Sequence, residues 1–256
     1  MKLTSPFIST SASTSLRLLA VLAALTGCAG KAQPDWQMNA QSSITRFQQA
    51  YLTGKAQVEA VEFKRAREQV AATGKIDLVA RTELIRCATR VASLVLDDCT
   101  GFDPLRQDAS APERAYARYL AGSATLQDAA LLPEPHRPVA NAIVNGADAQ
   151  AVAAALQIKD PLAALVASGV LLRTGRASPA LLDFAIETAS SQGWRRPLLA
   201  WLNVQALRAE QAGAAPEAQR LRRRIALVSD AKSSAADGIK QHQPANFFES
   251  KDATKP

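Results

Sequence analysis

Few side chains in this sequence are of the types that carry out catalysis, and they are scattered along the chain. The 256 residues include only 2 histidines and 3 cysteines. A serine or cysteine triad would have to use His136, in a proline-rich segment, or His242, near the carboxyl terminus. These dispersed residues cannot form a Cys/His cluster with zinc spacing, so we expect no metal site and interpret His136 as a loop residue.

Short catalytic and phosphate-binding motifs are missing as well. The sequence contains no G-x-S-x-G, no H-E-x-x-H, no phosphate loop and no dinucleotide fingerprint. Gly54-Lys55 and Gly74-Lys75 lack the other residues of a phosphate loop, and we interpret both as helix ends. We therefore expect no cofactor and predict that the chain is not an enzyme. One catalytic alternative stays open, a carboxylate pair for glycoside hydrolysis drawn from Glu83, Asp97, Asp98 and Glu113.

The first 27 residues have the features of an export signal. Lys2 and Arg17 are the charged residues of this stretch, which has no acid, and an apolar run over 18–25 follows them. That run is too short to span a bilayer stably and is typical of a cleaved secretory signal. The signal ends in Leu25-Thr26-Gly27-Cys28.

This ending resembles the lipobox of bacterial lipoproteins, an aliphatic residue and two small residues before a cysteine. The resemblance implies that diacylglycerol is attached to Cys28, that the chain is cleaved before Cys28, and that the new amino terminus is acylated. Three acyl chains would hold the protein firmly in a membrane, since each buried CH₂ contributes about 0.8 kcal/mol. Ala29 follows the cysteine, and in Gram-negative lipoproteins this implies sorting to the periplasmic face of the outer membrane.

The charge of the chain is modest once the signal is removed. The whole chain has 30 basic and 23 acidic side chains, a net charge of +7, and cleavage takes away the basic Lys2 and Arg17, which leaves about +5. An exported protein does not ordinarily meet nucleic acid, and no recognition module for it occurs here. We therefore predict no nucleic-acid partner.

Cys87 and Cys99 remain as a pair when Cys28 is lipidated, and an oxidising compartment favours a disulfide between them. A helix from Cys87 to Leu96 would carry the chain about 13 Å away at about 1.5 Å per residue, and three extended residues recover at most about 10 Å. The bond therefore needs an earlier helix end or an immediate reversal at the turn-forming residues 97–101. A metal site or a reactive thiol is the alternative.

Composition and periodicity favour an all-α fold. Hydrophobic residues make up 48% of the chain and aromatic residues 5%, and the apolar share comes mostly from Ala and Leu. Apolar residues recur at helical spacing in three successive stripes that begin at Trp36, Ala56 and Ala80, and the first two stripes are closed by Gly54 and Gly74. Further helices are predicted at 113–120, 138–144, 149–156, 161–173, 179–191, 197–212 and 216–228.

Several of these helices have recognisable starts. Asp160-Pro161 and Ser178-Pro179 each pair a capping residue with a proline in the first turn. Asp148 is predicted to cap the helix after it, and Pro197 to occupy the first position of its helix. The predicted organisation is a signal peptide at 1–27, an anchor and linker at 28–35, a helical domain at 36–228 with a subdivision near 101–112 left open, and a disordered tail at 229–256.

The paired helices resemble degenerate tetratricopeptide repeats. Trp201 followed by Gly213 and Ala218, and Tyr51 followed by Phe63, carry the resemblance. It implies stacked antiparallel helical hairpins in a solenoid-like domain, although the irregular helix lengths do not fit a strict 34-residue array. The chain is also similar to helical envelope lipoproteins of Gram-negative bacteria with segments such as ELIRCA and QGWRRPLLAWL, a likeness that implies no activity.

Two basic clusters are the candidates for an interaction patch. The first lies late in the last predicted helix, where cations suit the helix dipole, and we interpret it as a solvated face, with contact to anionic lipid as the alternative. The second precedes Pro197, and we interpret its tryptophan as packing back on the first helical turn, with a binding patch as the alternative. The candidates are Arg220, Arg222, Arg223 and Arg224 in the first cluster, and Trp194, Arg195 and Arg196 in the second.

The expected function is that of a lipid-anchored periplasmic scaffold or protein-interaction module of the cell envelope. Helical hairpins present grooves between stacked helices that can bind partners without catalytic residues. The expected partners are the membrane, through the acyl anchor, and an envelope protein. The alternatives are an enzyme or enzyme accessory that acts on cell-wall glycans, and a binder of lipid or small hydrophobic ligands between the helices.

Overall fold

A computed structural model describes residues 34–240, with side chains described for 34–230, and all regular structure in this part of the chain is helical. Two short 3₁₀ helices lie at Asp103–Leu105 and Glu134–His136. The α-helices are α1 (Asp35–Thr53), α2 (Ala56–Ala71), α3 (Ile76–Val91), α4 (Ala111–Leu120), α5 (Leu126–Leu131), α6 (Arg137–Val144), α7 (Asp148–Leu156), α8 (Pro161–Arg173), α9 (Pro179–Ser191), α10 (Arg195–Gln211) and α11 (Ala215–Lys240).

Each described α-helix packs against the next one along the chain, which confirms the predicted all-α fold of stacked helical hairpins. Helices that are far apart in the sequence are also in contact. Helix α8 packs on α3 and α4, and α10 packs on α1. The main apolar core includes residues on both sides of 101–112, among them Leu84 and Trp201. The connection at 101–112 therefore does not separate two cores.

Local signals set several helix ends. Gly54 ends α1 with φ 84°, a left-handed conformation that glycine adopts without strain. The Asp160 carboxylate accepts a hydrogen bond from the Ala163 N–H at 2.7 Å, and the Ser178 hydroxyl accepts one from the Leu181 N–H at 3.2 Å. Both predicted caps are confirmed, and each satisfies a donor that the first turn leaves without an intrahelical partner.

Two predicted helix starts are wrong. Asp148 is the first residue of α7 rather than its cap, and its carboxylate instead accepts a hydrogen bond from Arg176 Nε at 2.8 Å. Pro197 is the third residue of α10, which begins at Arg195. Proline is tolerated there because the first-turn N–H groups have no acceptor within the helix.

The structure also contains helical segments that the sequence did not predict. Helix α5 has only six residues, too few for an apolar stripe, and is started by a capping box between Thr125 and Asp128. Helix α11 continues to Lys240, whereas the prediction placed the start of a tail at residue 229. Residues 229–240 lack an apolar stripe but are rich in Ala, Ser and Lys and contain no proline. The rest of the predicted tail, 241–256, and the predicted signal and lipidated Cys28 lie outside the described residues.

The predicted disulfide is present in the structure, with the Cα atoms of Cys87 and Cys99 5.6 Å apart. Of the two routes considered, the chain takes the earlier helix end. Helix α3 stops at Val91, and Leu94 adopts φ 58°, so the chain reverses before it reaches Cys99. The bond closes the loop between α3 and the 3₁₀ helix at Asp103–Leu105.

Removal of this disulfide is expected to lower the free energy of unfolding. The two cysteines are 12 residues apart, and in the chain-entropy model a loop of that length contributes about 3 kcal/mol. We expect the Cys87→Ala/Cys99→Ala double variant to show this loss in urea denaturation, and the reduced wild-type protein to show a similar one. Alkylation of both thiols in exported protein without reductant would contradict the bond.

Gly169 marks the close approach of α8 to the end of α3. A Cβ at this position would lie 2.5 Å from the Val91 carbonyl oxygen and 2.9 Å from Val91 Cγ1. We therefore expect Gly169→Ala to lower the free energy of unfolding by about 2 kcal/mol through overpacking, although alanine is the better helix former by about 1 kcal/mol. Thermal denaturation checks the sign, and a stabilised variant would show that the two helices are not in contact.

Candidate functional site

The second basic cluster joins helices rather than forming a surface patch. Trp194 is buried, and its Nε1 donates to Gln49 Oε1 at 3.2 Å. Arg196 Nε donates to the Tyr51 carbonyl at 2.9 Å, and its guanidinium carbon lies 4.2 Å from the centre of the Tyr51 ring. These contacts fix the start of α10 on the end of α1. Arg195 lies beside Gly54, where an added Cβ would meet its Nη2.

The arginines of α11 are only partly free to bind a partner. Arg220 donates twice to the Glu217 carboxylate, at 2.7 and 2.8 Å, and these hydrogen bonds lower the pKa of Glu217. Arg222 donates twice to Glu210, at 2.8 and 3.0 Å. Among residues 34–230, Arg223 and Arg224 form no ion pair. The two predicted clusters line different cavities, so the structure does not unite them in one patch.

The four carboxylates considered for glycan chemistry lie at two separate places. Glu83, Asp97 and Asp98 line a cavity of about 420 Å³ beside the disulfide, and Glu113 lines another. Three of them form ion pairs with arginines. The N–O distances are 2.8 Å for Arg67–Glu83, 3.2 Å for Arg90–Asp97 and 2.7 Å for Arg81–Glu113. The Glu113 carboxylate also accepts a hydrogen bond from the Ser110 hydroxyl.

A series of buried carboxylates, each held by an arginine of a neighbouring helix, connects the first five helices. Every carboxylate in the series has a side chain less than a tenth exposed. The Arg118 hydrogen bonds hold the pKa of Asp128 well below its usual range. The pairs are Arg46–Glu62 between α1 and α2, Arg86–Glu59 and Arg67–Glu83 between α2 and α3, Arg81–Glu113 between α3 and α4, and Arg118–Asp128 between α4 and α5.

One concave surface between helices is a cleft of about 490 Å³ that we name the α3–α4 cleft. Leu84 and Leu132 on its lining are almost fully buried, Tyr116 is half-buried, and Leu131 is 41% exposed. The size falls within the usual range of ligand sites. The cleft is lined by Arg81, Leu84, Ile85, Pro112, Glu113, Tyr116, Leu131, Leu132, Pro133 and Arg137.

Hydrogen bonds from two arginines hold the polar edge of this cleft. Arg81 donates from Nε at 2.9 Å and from Nη2 at 2.7 Å to the same Glu113 oxygen, which joins α3 to α4. Arg137 Nε donates to the Leu132 carbonyl at 2.8 Å and so fixes the connection between α5 and α6. The edge is therefore ordered by contacts within the chain.

Beside the cleft, a buried aromatic cluster packs α4 against the segment before α6. The His136 ring centre lies 5.1 Å from that of Tyr119 and 5.7 Å from that of Tyr116. His136 is 3% exposed, which corrects its interpretation as a loop residue, since it belongs to a 3₁₀ helix in the core. Burial lowers the pKa of His136 to about 4, against an opposing effect of Asp160, so the imidazole is neutral at pH 7.

The residues that line the cleft could not be predicted from the sequence. Its lining comes from α3, from α4 and from residues 131–137, and the segment with Leu131 was not predicted to be helical. The cleft lies between helices, and the sequence had predicted only in general terms that a binding groove would lie there. The buried acids were missed for a related reason, since a carboxylate beside an apolar stripe does not indicate which arginine it will meet.

The fold and the cleft together describe an all-α protein of stacked helical hairpins, with an open cleft between helices. No family model, curated protein or solved structure matches the chain. In the part of the chain that the structure describes, no helix is long and apolar enough to cross a membrane. The same part contains no group of three or more His, Cys, Asp or Glu side chains that could hold a metal ion.

Proposed function

We propose that this protein is a lipid-anchored interaction module of the bacterial cell envelope. It is held at the periplasmic face of the outer membrane and binds an envelope protein through the α3–α4 cleft. The observation that carries the proposal is the cleft itself, an apolar surface between stacked helices that no helix of residues 34–240 fills. Such grooves bind partners through shape and side-chain chemistry, without catalytic groups.

The anchor and the compartment are supported by the cysteines. Leu25-Thr26-Gly27-Cys28 resembles a lipobox, and a Cys87–Cys99 disulfide is typical of proteins that fold in an oxidising compartment. All three cysteines thus have a use in an exported lipoprotein. The periplasmic face of the outer membrane follows from Ala29 only through the resemblance to Gram-negative lipoproteins.

The anchor is tested by a single substitution. We expect Cys28→Ala to accumulate as an uncleaved precursor that takes up no labelled palmitate, because the acceptor thiol is gone. Thr26→Ala keeps a small residue before the cysteine and is expected to be processed as the wild type is. Gel mobility and palmitate labelling report both steps. A Cys28→Ala protein that is acylated normally would refute the anchor.

The interaction role is tested by purification of the anchored protein from detergent-solubilised membranes. We expect a stoichiometric envelope protein to co-purify with the wild type and to be lost with Leu131→Asp, which puts a charge on the cleft wall. Leu126→Asp is the matched control, since Leu126 belongs to the same helix, is 54% exposed and does not line the cleft. The role is refuted if no partner co-purifies, or if both variants retain it equally.

A further inference from the structure

We infer that the α3–α4 cleft binds an extended peptide segment of its partner, in which an Asp or Glu residue stands two positions from a large aliphatic residue, so that both side chains lie on the same face. The inference rests on the proposed interaction role and adds the chemistry of the bound segment. Three properties of the cleft carry it, namely the free donors on its edge, the apolar wall, and the exposure of its rim.

The edge of the cleft offers positively charged donors that the chain does not use. Arg81 gives Nε and Nη2 to Glu113, and Arg137 gives Nε to a carbonyl. Among residues 34–230, Arg81 Nη1 and both terminal nitrogens of Arg137 have no acceptor, and Arg137 forms no ion pair. Glu113 offsets one of the two arginines, so the lining has a net charge of about +1 and favours a carboxylate.

The wall of the cleft accepts aliphatic side chains. Its accessible apolar surface includes the half-buried Ile85 and Leu131, which is 41% exposed, while Leu84 and Leu132 on the same lining are almost fully buried. A ligand side chain laid on this surface would remove Leu131 from water, at about 25 cal/mol per Å² of apolar area. An aliphatic group beside the carboxylate is therefore favoured over a polar one.

The exposed rim favours a peptide over a free acyl chain. Pro112, Leu131 and Pro133 are all exposed, so the cleft is an open trough rather than an enclosed cavity. Small-molecule sites bury about 70–90% of their ligand, and an acyl chain in this trough would leave methylene groups in water. A peptide can bury alternate side chains while its backbone amides stay hydrated.

The two prolines also restrict how such a peptide is recognised. Neither Pro112 nor Pro133 has a backbone N–H, and the other lining residues of α3 and α4 use their backbone groups within helices. Leu132, the residue before Pro133, is extended, but its carbonyl already accepts the Arg137 hydrogen bond, and the lining residues form no strand to which a peptide strand could be added. Recognition depends on side chains, in the manner of a groove with an apolar wall and a charged rim.

The test uses the full-length acylated protein in detergent and two rhodamine-labelled, amidated peptides, Ala-Leu-Ala-Glu-Ala and Ala-Leu-Ala-Lys-Ala, whose binding is followed by fluorescence anisotropy. We expect the Glu peptide to bind at least about tenfold more tightly than the Lys peptide, and the preference to shrink at high salt because the rim is exposed. Leu131→Asp should weaken binding of the Glu peptide about tenfold, and Leu126→Asp should leave it unchanged.

Arg137 separates a charge effect from a loss of structure. Arg137→Gln removes the charge, and we expect it to abolish the preference for the Glu peptide, whereas Arg137→Lys should restore part of it. A merely structural role at Arg137 would not discriminate between the two peptides. Thermal denaturation of each variant shows whether it is folded. If the Arg137→Gln variant does not fold, the loss of binding expected for Leu131→Asp still tests the inference.

Several outcomes would overturn the inference. These are no binding of the Glu peptide, equal binding of both peptides, or equal effects of Leu131→Asp and Leu126→Asp. Dodecanoate that binds in a Leu131-dependent way while neither peptide does would replace the peptide with a lipid. A partner that co-purifies through Leu131 in the absence of peptide binding would leave the interaction role intact and refute only the peptide chemistry.

Discussion

Replacement of Trp201 by alanine is expected to lower the free energy of unfolding by about 4 kcal/mol, the largest effect of a single substitution that the structure suggests. Trp201 is the largest fully buried side chain of the described core, with 0% exposure. Its Nε1 donates to the Ala92 carbonyl at 3.1 Å, which ties α10 to the end of α3. The substitution therefore removes both a large apolar volume and a bond between distant parts of the chain.

Urea denaturation monitored by circular dichroism measures this loss. Trp201→Phe keeps most of the ring but leaves the Ala92 carbonyl without its donor, so we expect a smaller loss of about 1–3 kcal/mol. Trp36 lies near the start of α1 and is only partly buried, and Trp36→Ala should cost less than Trp201→Ala. Equal effects of the two alanine variants would show that α10 does not occupy the core as described.

A second large effect is expected from pH. Burial lowers the pKa of His136 to about 4, below the unfolded value of about 6.5, so between these values the unfolded chain binds more protons than the folded one. Stability therefore falls as the pH falls. From His136 alone we expect a loss of about 2 kcal/mol between pH 7.5 and pH 5, and of between about 3 and 4 kcal/mol below the folded pKa.

The groups around His136 explain the direction of this shift. Tyr116 and Tyr119 enclose the ring, and burial of these phenols raises the pKa of each above its ordinary value, so neither supplies a charge to the imidazolium. Asp160 opposes the shift but does not outweigh burial. Protonation of His136 would thus place a charge in an apolar cluster, and unfolding relieves it.

His136→Phe retains a ring in the cluster and removes the titrating group. We expect this variant to lose most of the pH dependence between 7.5 and 5, and His242→Gln to retain it. Chemical denaturation at a series of pH values gives both results. If His242→Gln, rather than His136→Phe, flattened the profile, the assignment of the buried histidine would be wrong.

The local parts of this fold could be predicted from the sequence. Helices α8 and α9 have the predicted bounds because Asp160 and Ser178 are capping residues that stand before prolines, and both signals act within one helical turn. Gly54 ended α1 for an equally local reason. Helix α5 was missed because its start depends on one capping box and its six residues show no periodicity.

Contacts between distant residues could not be predicted in the same way. Trp194 meets Gln49 and Arg196 meets Tyr51, each across 145 residues, and no local pattern specifies such a partner. The helical spacing indicated an apolar face for each helix, although Ala56 and Ala60 of the second stripe are exposed. It did not indicate which helices lie together. The cleft depends on that information, since α3, α4 and the segment before α6 each supply part of its wall.

Many of the arginines have a structural role that the composition of the sequence does not show. Six arginines of the first four helices, Arg46, Arg65, Arg67, Arg81, Arg86 and Arg118, pair with carboxylates that are almost fully buried. A buried carboxylate is costly without a partner, and five of these arginines reach it from a neighbouring helix, whereas Arg65 pairs with Glu62 of its own helix. Arg137 on the α3–α4 cleft differs from them, because it forms no ion pair within residues 34–230.

Position-specific photo-cross-linking in intact cells tests the proposed role of the cleft most directly. A photoreactive phenylalanine analogue replaces Leu131 or, in the control, Leu126 of the same helix. We predict one discrete adduct with an envelope protein from position 131, weakened by Arg137→Gln, and a cross-linked segment that contains Asp or Glu. No adduct from position 131, or the same adducts from both positions, would contradict a binding role for the α3–α4 cleft.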